Sequence, residues 1–257
     1  MFRVLDDRPG SHAEVSFARP GPLRLYVHVH ASTDAADLTG LRVLLVADLL
    51  FRAAEVGGLQ VLATRVFTGE AAAQAAMERA ADALGVNPPA LPAAPGVAWP
   101  GGQSGVHVAD ETAVNEDDHS GILVRTAAAR MTGHAFRDGA TAGLPAGLDP
   151  LAVRFALMSV PRQQPAEITA ATLGDAARTL NEWRHRVAGW AEFPSHRIPE
   201  PVQAAFMSAF SSLDAVAVLS SLSRLMADET MPPGARFEAS VYADRVLGLD
   251  LPRDIGR

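Results

Sequence analysis

The sequence predicts an α/β fold, with a parallel sheet in residues 1–148 and an all-helical region in residues 149–257. Two observations lead to this prediction. Between residues 23 and 84, strand-like and helix-like segments alternate, and this order is typical of parallel strands joined by right-handed crossovers. From residue 149 onward, the apolar residues follow helical spacing only. We therefore expect a sheet domain followed by a helical bundle.

The clearest strand is Leu23–His30, which we expect inside the sheet. Its odd-numbered residues are apolar and its even-numbered residues are polar, as in a strand whose two faces meet different surroundings. A nearly all-apolar run over Leu38–Val56 then predicts a buried helix that ends at Gly57-Gly58. A strand over Leu59–Phe67 and an alanine-rich helix over about Glu70–Leu84 complete the strand–helix–strand–helix order.

The remaining elements are predicted from the same patterns. Two short extended segments are expected within residues 2–22, and further strands at Val106–Ala109 and Ile122–Thr126. Glycine-rich stretches over Asn87–Gly105 and Gly133–Gly147 predict connecting loops. The predicted helices of the second half are Pro150–Ser159, Ala170–Ala188, Pro201–Ala209, Ser212–Ala227 and Ala235–Leu247.

Composition narrows the chemistry that the chain can perform. The 257 residues include neither cysteine nor lysine, which excludes thiolate zinc sites, cysteine nucleophiles and lysines that grip phosphate. The net charge is −7 and the arginines are scattered, so we expect no nucleic-acid partner. No apolar run reaches the ~18 residues that span a bilayer, and no signal-peptide pattern is present. We expect a cytoplasmic protein without a membrane partner.

The order of these segments resembles the class I cysteinyl-tRNA synthetase family. The similar segments are "ARPGPLRLYV", "DLTGLRVLLVADLLFRAAEVGGLQVLATRVFT", "HSGILVRTAAARMTGHAF" and, in the helical tail, "LDPLAVRFALMSVPRQQ". Within the family, the chain is most similar to the branch of the mycothiol ligase, which joins cysteine to glucosaminyl-inositol with ATP. The resemblance implies a Rossmann-like (HUP-type) nucleotide-binding sheet followed by a helical tail without an anticodon-binding domain.

The family's signature motifs are altered in this chain. The HIGH motif falls on Asp37–Gly40, where both histidines are absent, and an aspartate at a helix start repels phosphate although it caps the helix well. The KMSKS loop corresponds to Arg130–His134, with Gly133 in place of the second lysine. The zinc cysteines are absent, and His28 aligns with the first of them. The resemblance together with these losses predicts a non-catalytic homologue, a pseudoenzyme that binds a protein partner or a small molecule.

One alternative stays open. In this alternative, the chain is an ATP-dependent amino-acid ligase or an aminoacyl-transferring enzyme with a rebuilt active site. This hypothesis requires ATP or an adenylate as the cofactor. Asp34 is interpreted either as an amine-binding residue or as a turn-former. The candidate residues of the cleft are His28, His30, Asp34, Asp37, Thr39, Arg130 and His134.

The two histidines of the strand raise the question whether the chain binds a metal ion. His28 and His30 lie on one face at the carboxyl end of their strand, where open α/β sheets bind ligands. One interpretation is a metal site with His107 or His119 as a third ligand. The other, which we favour, is a pair of hydrogen-bonded histidines in a shrunken cleft, and we expect no zinc.

Three further predictions concern packing. Asp48 and Arg52 are one helical turn apart and are expected to pair. Arg154 and Trp183 match positions in the family's helical tail. We expect Trp183 to pack between helices and Arg154 to anchor the helical half to the sheet half.

Overall fold

The structure, a computed structural model, describes residues 2–8, 14–17, 21–90, 105–111, 121–133 and 147–257. Its strands are β1 (Phe2–Leu5), β2 (Glu14–Phe17), β3 (Leu23–Ala31), β4 (Val61–Gly69), β5 (Gly105–Asp110), β6 (Gly121–Thr126), β7 (Ala129–Met131) and β8 (Ala166–Ile168). Its helices are α1 (Thr39–Val56), α2 (Ala71–Ala83), α3 (Pro150–Met158), α4 (Ala170–Trp190), α5 (Glu200–Ser211), α6 (Ala215–Ala227) and α7 (Pro233–Leu247), with a final 3-10 helix at Leu251–Asp254.

The main sheet has four parallel strands in the order β4-β3-β5-β6. Strand β3 is therefore an inner strand, as predicted. The chain passes from β3 to β4 on one side and returns to β5 on the other, so the strand order reverses beside β3. Open α/β sheets bind ligands at the carboxyl ends of their strands at such a reversal, and this edge positions the candidate site.

Helix α1 is the central helix of the fold. Every residue from Gly40 to Leu50 is buried, and the helix contacts all four strands of the main sheet. The prediction of a buried helix is confirmed. Within the described residues, no helix has the length and apolar character needed to cross a membrane.

The prediction of helices alone from residue 149 onward is not confirmed. Ala166–Ile168 forms β8, which pairs in parallel with β7, so that Ala129 lies opposite Ala166. The backbone groups of β7 need hydrogen-bond partners when they are buried, and the segment after α3 supplies them. Three residues are too few to show a strand periodicity, which explains why the sequence pattern missed this strand.

The ends of the elements differ from the predictions by a few residues. The largest helical shift is at α6, which begins at Ala215 where Ser212 was expected. Leu213 adopts a left-handed φ of 54°, which interrupts the helical path, and Asp214 then caps the new helix. The two loops predicted over Asn87–Gly105 and Gly133–Gly147 lie mostly outside the described residues.

Arg154 joins the two halves of the molecule, as predicted. Its side chain is fully buried and donates to the carboxylate of Asp48 on α1 at 2.5 Å. It also donates to the carbonyl oxygens of Leu84, at 3.1 Å, and Leu247, at 2.6 Å. The predicted pair of Asp48 and Arg52 is present at 2.8 Å. Three elements that are distant in sequence, α1, α3 and α7, therefore meet at one guanidinium group.

Trp183 packs between helices, which confirms its predicted role. Its ring is buried in the core and meets the ring of Phe155 edge to face, with a centroid distance of 5.4 Å. Since Phe155 lies on α3 and Trp183 on α4, this contact holds the first two helices of the tail together.

Candidate functional site

The loop between β3 and α1 forms one wall of the candidate site. Asp34 Oδ1 accepts a hydrogen bond from the backbone N–H of Ala36 at 3.0 Å, which is the geometry of a turn-forming aspartate. Its second oxygen accepts from Arg130 Nη2 at 2.9 Å, and both side chains are largely exposed. The turn-forming interpretation of Asp34 is confirmed, and the structure places Asp34 and Arg130 together.

The start of α1 is closed by the chain itself. Asp37 Oδ1 accepts from the backbone N–H of Thr39 at 2.9 Å, so the carboxylate occupies the positive end of the helix. Strand β7 runs alongside this segment, with a bridge between Asp37 and Arg130. The N–H of Leu38 donates to the carbonyl of Ala129 at 2.9 Å, and Thr39 Oγ1 accepts from the N–H of Ala129 at 3.2 Å. The N–H of Thr39, the first donor of α1, is therefore satisfied within the chain, and β7 covers one side of the helix start.

Methionine packing closes the first turn of α1 further. A Cβ atom added to Gly40 would lie 2.7 Å from the Sδ and Cε atoms of Met77 and 2.9 Å from the carbonyl oxygen of His30. Only glycine fits here without displacing Met77, which projects from α2. The space beside the helix start is thus filled by an apolar side chain.

A cavity of about 290 Å³ remains open next to this closed helix start. Three carboxylates, those of Asp34, Asp37 and Glu70, contribute to its wall, and Leu41, Met77 and several alanines supply its apolar surface. Among the described residues, Arg130, which is paired with Asp34, is a cation that the structure brings near them. The described walls of the cavity therefore carry a net negative charge and favour a cationic group over a phosphate.

The structure corrects the predicted pairing of His28 with His30. His28 is buried, and its Nε2 atom lies 3.3 Å from Nδ1 of His107 on β5. His30 is exposed, and its Nδ1 atom lies 3.2 Å from Oγ1 of Thr68 on β4. His28 and His30 follow each other along one strand. His107 belongs to the neighbouring strand, where it lies opposite Tyr26 and therefore diagonally beside His28. Strand register, which the sequence does not reveal, decided the partner.

The buried histidine pair is part of a stack of rings on the sheet. The Tyr26 and His107 rings stack with centroids 5.0 Å apart, and His28 follows at 5.6 Å from His107. Two glycines make room for the stack. A Cβ atom on Gly121 would lie 2.9 Å from the ring of His107, and one on Gly105 would lie 2.9 Å from the ring of Tyr26. This packing favours a structural role for His28 and His107.

The metal hypothesis finds no complete ligand set in the described part of the chain. No group of three or more histidine, aspartate or glutamate residues there has the arrangement of a metal site. The candidates His119 and His134 lie outside the described residues. His28, His30 and His107 are divided between the buried stack and the exposed edge of the sheet.

Sequence reasoning missed two residues that shape the site, Met77 and Glu70, because neither belongs to a recognisable motif. It also missed Arg42, which is buried and donates to carbonyl oxygens of two chain segments. Burial lowers the pKa of Arg42 to about 10. An arginine inside the otherwise apolar run from Leu41 to Ala47 was the signal that could have identified it.

In comparisons with models of protein families and with curated proteins, no match to the chain was found. The functional conclusion therefore depends on the geometry and charge of the site.

Proposed function

We propose that this protein is a non-catalytic binding protein, a pseudoenzyme related to the cysteinyl-tRNA synthetase family and to its mycothiol-ligase branch. Its ligand is a small molecule with an amine, held in the acidic cavity beside α1. The observation that carries the proposal is the start of α1, where the Asp37 carboxylate bonds to the backbone N–H of Thr39 at 2.9 Å.

That bond argues against amino-acid activation. A helix start attracts phosphate through its unpaired N–H groups and its partial positive charge. Here the Asp37 carboxylate accepts from one of these N–H groups, that of Thr39, and opposes the same positive charge, and Met77 fills the adjacent space at Gly40. Removing one positioned donor from a charged transition state slows a reaction by about 10²–10³. The loss of several donors, together with an added negative charge, is consistent with a site that no longer activates an amino acid.

The charge of the cavity supports an amine as the ligand. An ammonium group placed between Asp37 and Glu70 would be attracted by both carboxylates, and an aliphatic body would rest against Leu41 and Met77. Glu70 precedes α2, is exposed, and makes no side-chain bond to cap that helix. It is therefore available to a ligand. A protein partner that presents a lysine or an N-terminal amine would use the same carboxylates.

Thermal unfolding of the full chain tests this proposal. A ligand that binds the native state adds about 2.7 kcal/mol of stability at a hundredfold excess over its Kd. We expect butylamine and cadaverine to raise the Tm, and butyrate and ATP with magnesium to leave it unchanged. Glu70→Gln should abolish most of the amine effect, whereas Glu55→Gln, at an exposed position near the end of α1, should not. A Tm that rises with ATP and not with the amines would refute the proposal.

A second candidate function is an enzyme with a rebuilt site, and the exposure of Arg130 favours it. The Arg130 side chain is 62% exposed, so its pair with Asp34 can open and turn the guanidinium toward a phosphate. Cysteine-dependent exchange of pyrophosphate into ATP distinguishes the two functions. We expect no exchange above a blank without protein. Exchange that disappears in Arg130→Ala while the Tm of that variant is unchanged would establish the rebuilt enzyme.

A further inference from the structure

A second, larger cavity of about 420 Å³ lies where the two halves of the molecule meet. One wall is the face of α1 that bears Leu45, Val46 and Leu49. The opposite walls are the connection that follows α3 and the first turn of α6. The volume lies within the range of small-molecule sites, and the walls are mainly aliphatic, as in such sites. A ligand here would touch the sheet half and the helical half at once.

Arg42 places a positive charge in the wall of this cavity. Its Nη1 and Nη2 groups donate to carbonyl oxygens of the β6–β7 turn and of the segment after α3, for example to Ala127 at 3.1 Å and Gln164 at 2.6 Å. In the part of the chain that the structure describes, its partners include no carboxylate, and its buried Nε group finds no acceptor. Among the described residues, carbonyl dipoles hold the charge of Arg42.

The other charged groups around the cavity do not cancel this charge. Arg162 is paired with Asp7 through two hydrogen bonds, so together they are neutral. Asp214 is exposed at the rim, and its Oδ1 atom accepts from the N–H of Ala217 at 2.9 Å as the cap of α6. The positive end of α6 offsets part of the charge of Asp214. The deep wall therefore remains positive while the walls around it are apolar.

We propose that this cavity binds a medium-chain aliphatic carboxylate. The alkyl chain lies against Leu45, Val46 and Leu49, where its burial removes apolar surface from water. The carboxylate lies on the Arg42 side, where a buried cation whose described partners are carbonyl oxygens attracts an anion through a weakly screened environment. At neutral pH Arg42 is charged, because even its lowered pKa is about 10. This site is separate from the acidic cavity at the start of α1 and does not depend on the function proposed there.

Isothermal titration calorimetry on the full chain tests this site with sodium octanoate and sodium decanoate. Octanol and octylamine serve as probes of equal length and different charge. We expect one saturable site for the carboxylates and binding of octylamine that is at least about tenfold weaker. Octanol or octylamine that binds as tightly as octanoate would overturn the proposal, as would the absence of saturable carboxylate binding.

Three variants test where the carboxylate binds. They leave Arg42 in place, because it donates hydrogen bonds to the surrounding carbonyl oxygens. Val216→Trp places a large ring in the cavity from the first turn of α6 and should abolish decanoate binding. Ser223→Trp, at an exposed position of the same helix outside the cavity, should not. Asp214→Asn retains a residue that caps the helix and removes the rim carboxylate, so decanoate should bind several-fold more tightly. Unchanged binding in Val216→Trp would exclude this cavity as the site.

Discussion

Two arginine–aspartate pairs, one at the cleft and one at the junction of the halves, differ mainly in burial. The Asp34–Arg130 pair leaves 47% of the aspartate side chain and 62% of the arginine side chain exposed. Both side chains of the Asp48–Arg154 pair are 0% exposed. Water competes with the first pair and is excluded from the second, so breaking the second pair costs more free energy. The exposed pair at the cleft can therefore open to solvent or to a ligand, whereas the buried pair at the junction stays closed in the folded protein.

The junction also relies on arginines that bond to backbone carbonyls. Arg184, which is buried, donates to the carbonyl oxygens of Leu249 at 2.6 Å and Asp250 at 3.0 Å, and to the carboxylate of Asp149 at 2.6 Å. Through these bonds α4 holds the end of the chain and the start of α3. Arginine suits this role because its planar guanidinium carries five donors in a fixed geometry.

The largest effect is expected from Arg154→Met. The substitution leaves the carboxylate of Asp48 buried without this partner and frees the carbonyl oxygens of Leu84 and Leu247. We expect a loss of about 3–5 kcal/mol in the free energy of unfolding, measured by urea denaturation. Arg178→Met, in an exposed pair with Asp175 on α4, should lose less than about 1 kcal/mol. Equal losses in the two variants would contradict the distinction between buried and exposed pairs.

A smaller, pH-dependent effect is expected from Asp149→Asn. Burial of Asp149 opposes its ionisation, but hydrogen bonds from Arg184 and Leu151 and the charge of Arg253 outweigh it, so the pKa lies below its ordinary value of 3.8. A carboxyl group with a lowered pKa stabilises the fold above its unfolded pKa and loses that contribution as the pH falls through its folded pKa. Asparagine retains the cap of α3, so the variant tests the charge.

The measurement is urea denaturation of both proteins at neutral pH and at about pH 3. At neutral pH, the variant should be less stable by about 1–3 kcal/mol, since Asp149 accepts bonds from two guanidinium groups. The difference should shrink once the pH falls below 3.8, the ordinary pKa of the group. A difference that stays constant with pH would show that the charge of Asp149 is not what holds α3 to α4.

The smallest effect on stability is expected from Arg130→Ala at the cleft. The exposed pair with Asp34 contributes about 0–1 kcal/mol, so the Tm should change little. Removal of the cation should also make the cavity more negative, and the proposed amines should bind more tightly than they bind the unaltered protein. Weaker amine binding in Arg130→Ala would show that the arginine takes part in holding the ligand.

The sequence by itself determined most of the longer elements and the burial of α1. The alternation along Leu23–His30 and the apolar run of Leu38–Val56 encode an inner strand and a buried helix, since each pattern lies within one element. These features are readable because burial imposes a periodicity on neighbouring residues.

The tertiary structure alone decided which distant residues meet. It paired His28 with His107, aligned the three residues of β8 with β7, and closed the start of α1 with Asp37 and Met77. Each of these contacts joins segments that no local pattern connects. These contacts depend on strand register and on the path of the connecting segments, and neither produces a periodic pattern in the sequence. Local sequence patterns therefore predict the fold class, whereas the chemistry of the cleft depends on contacts that exist only in the folded chain.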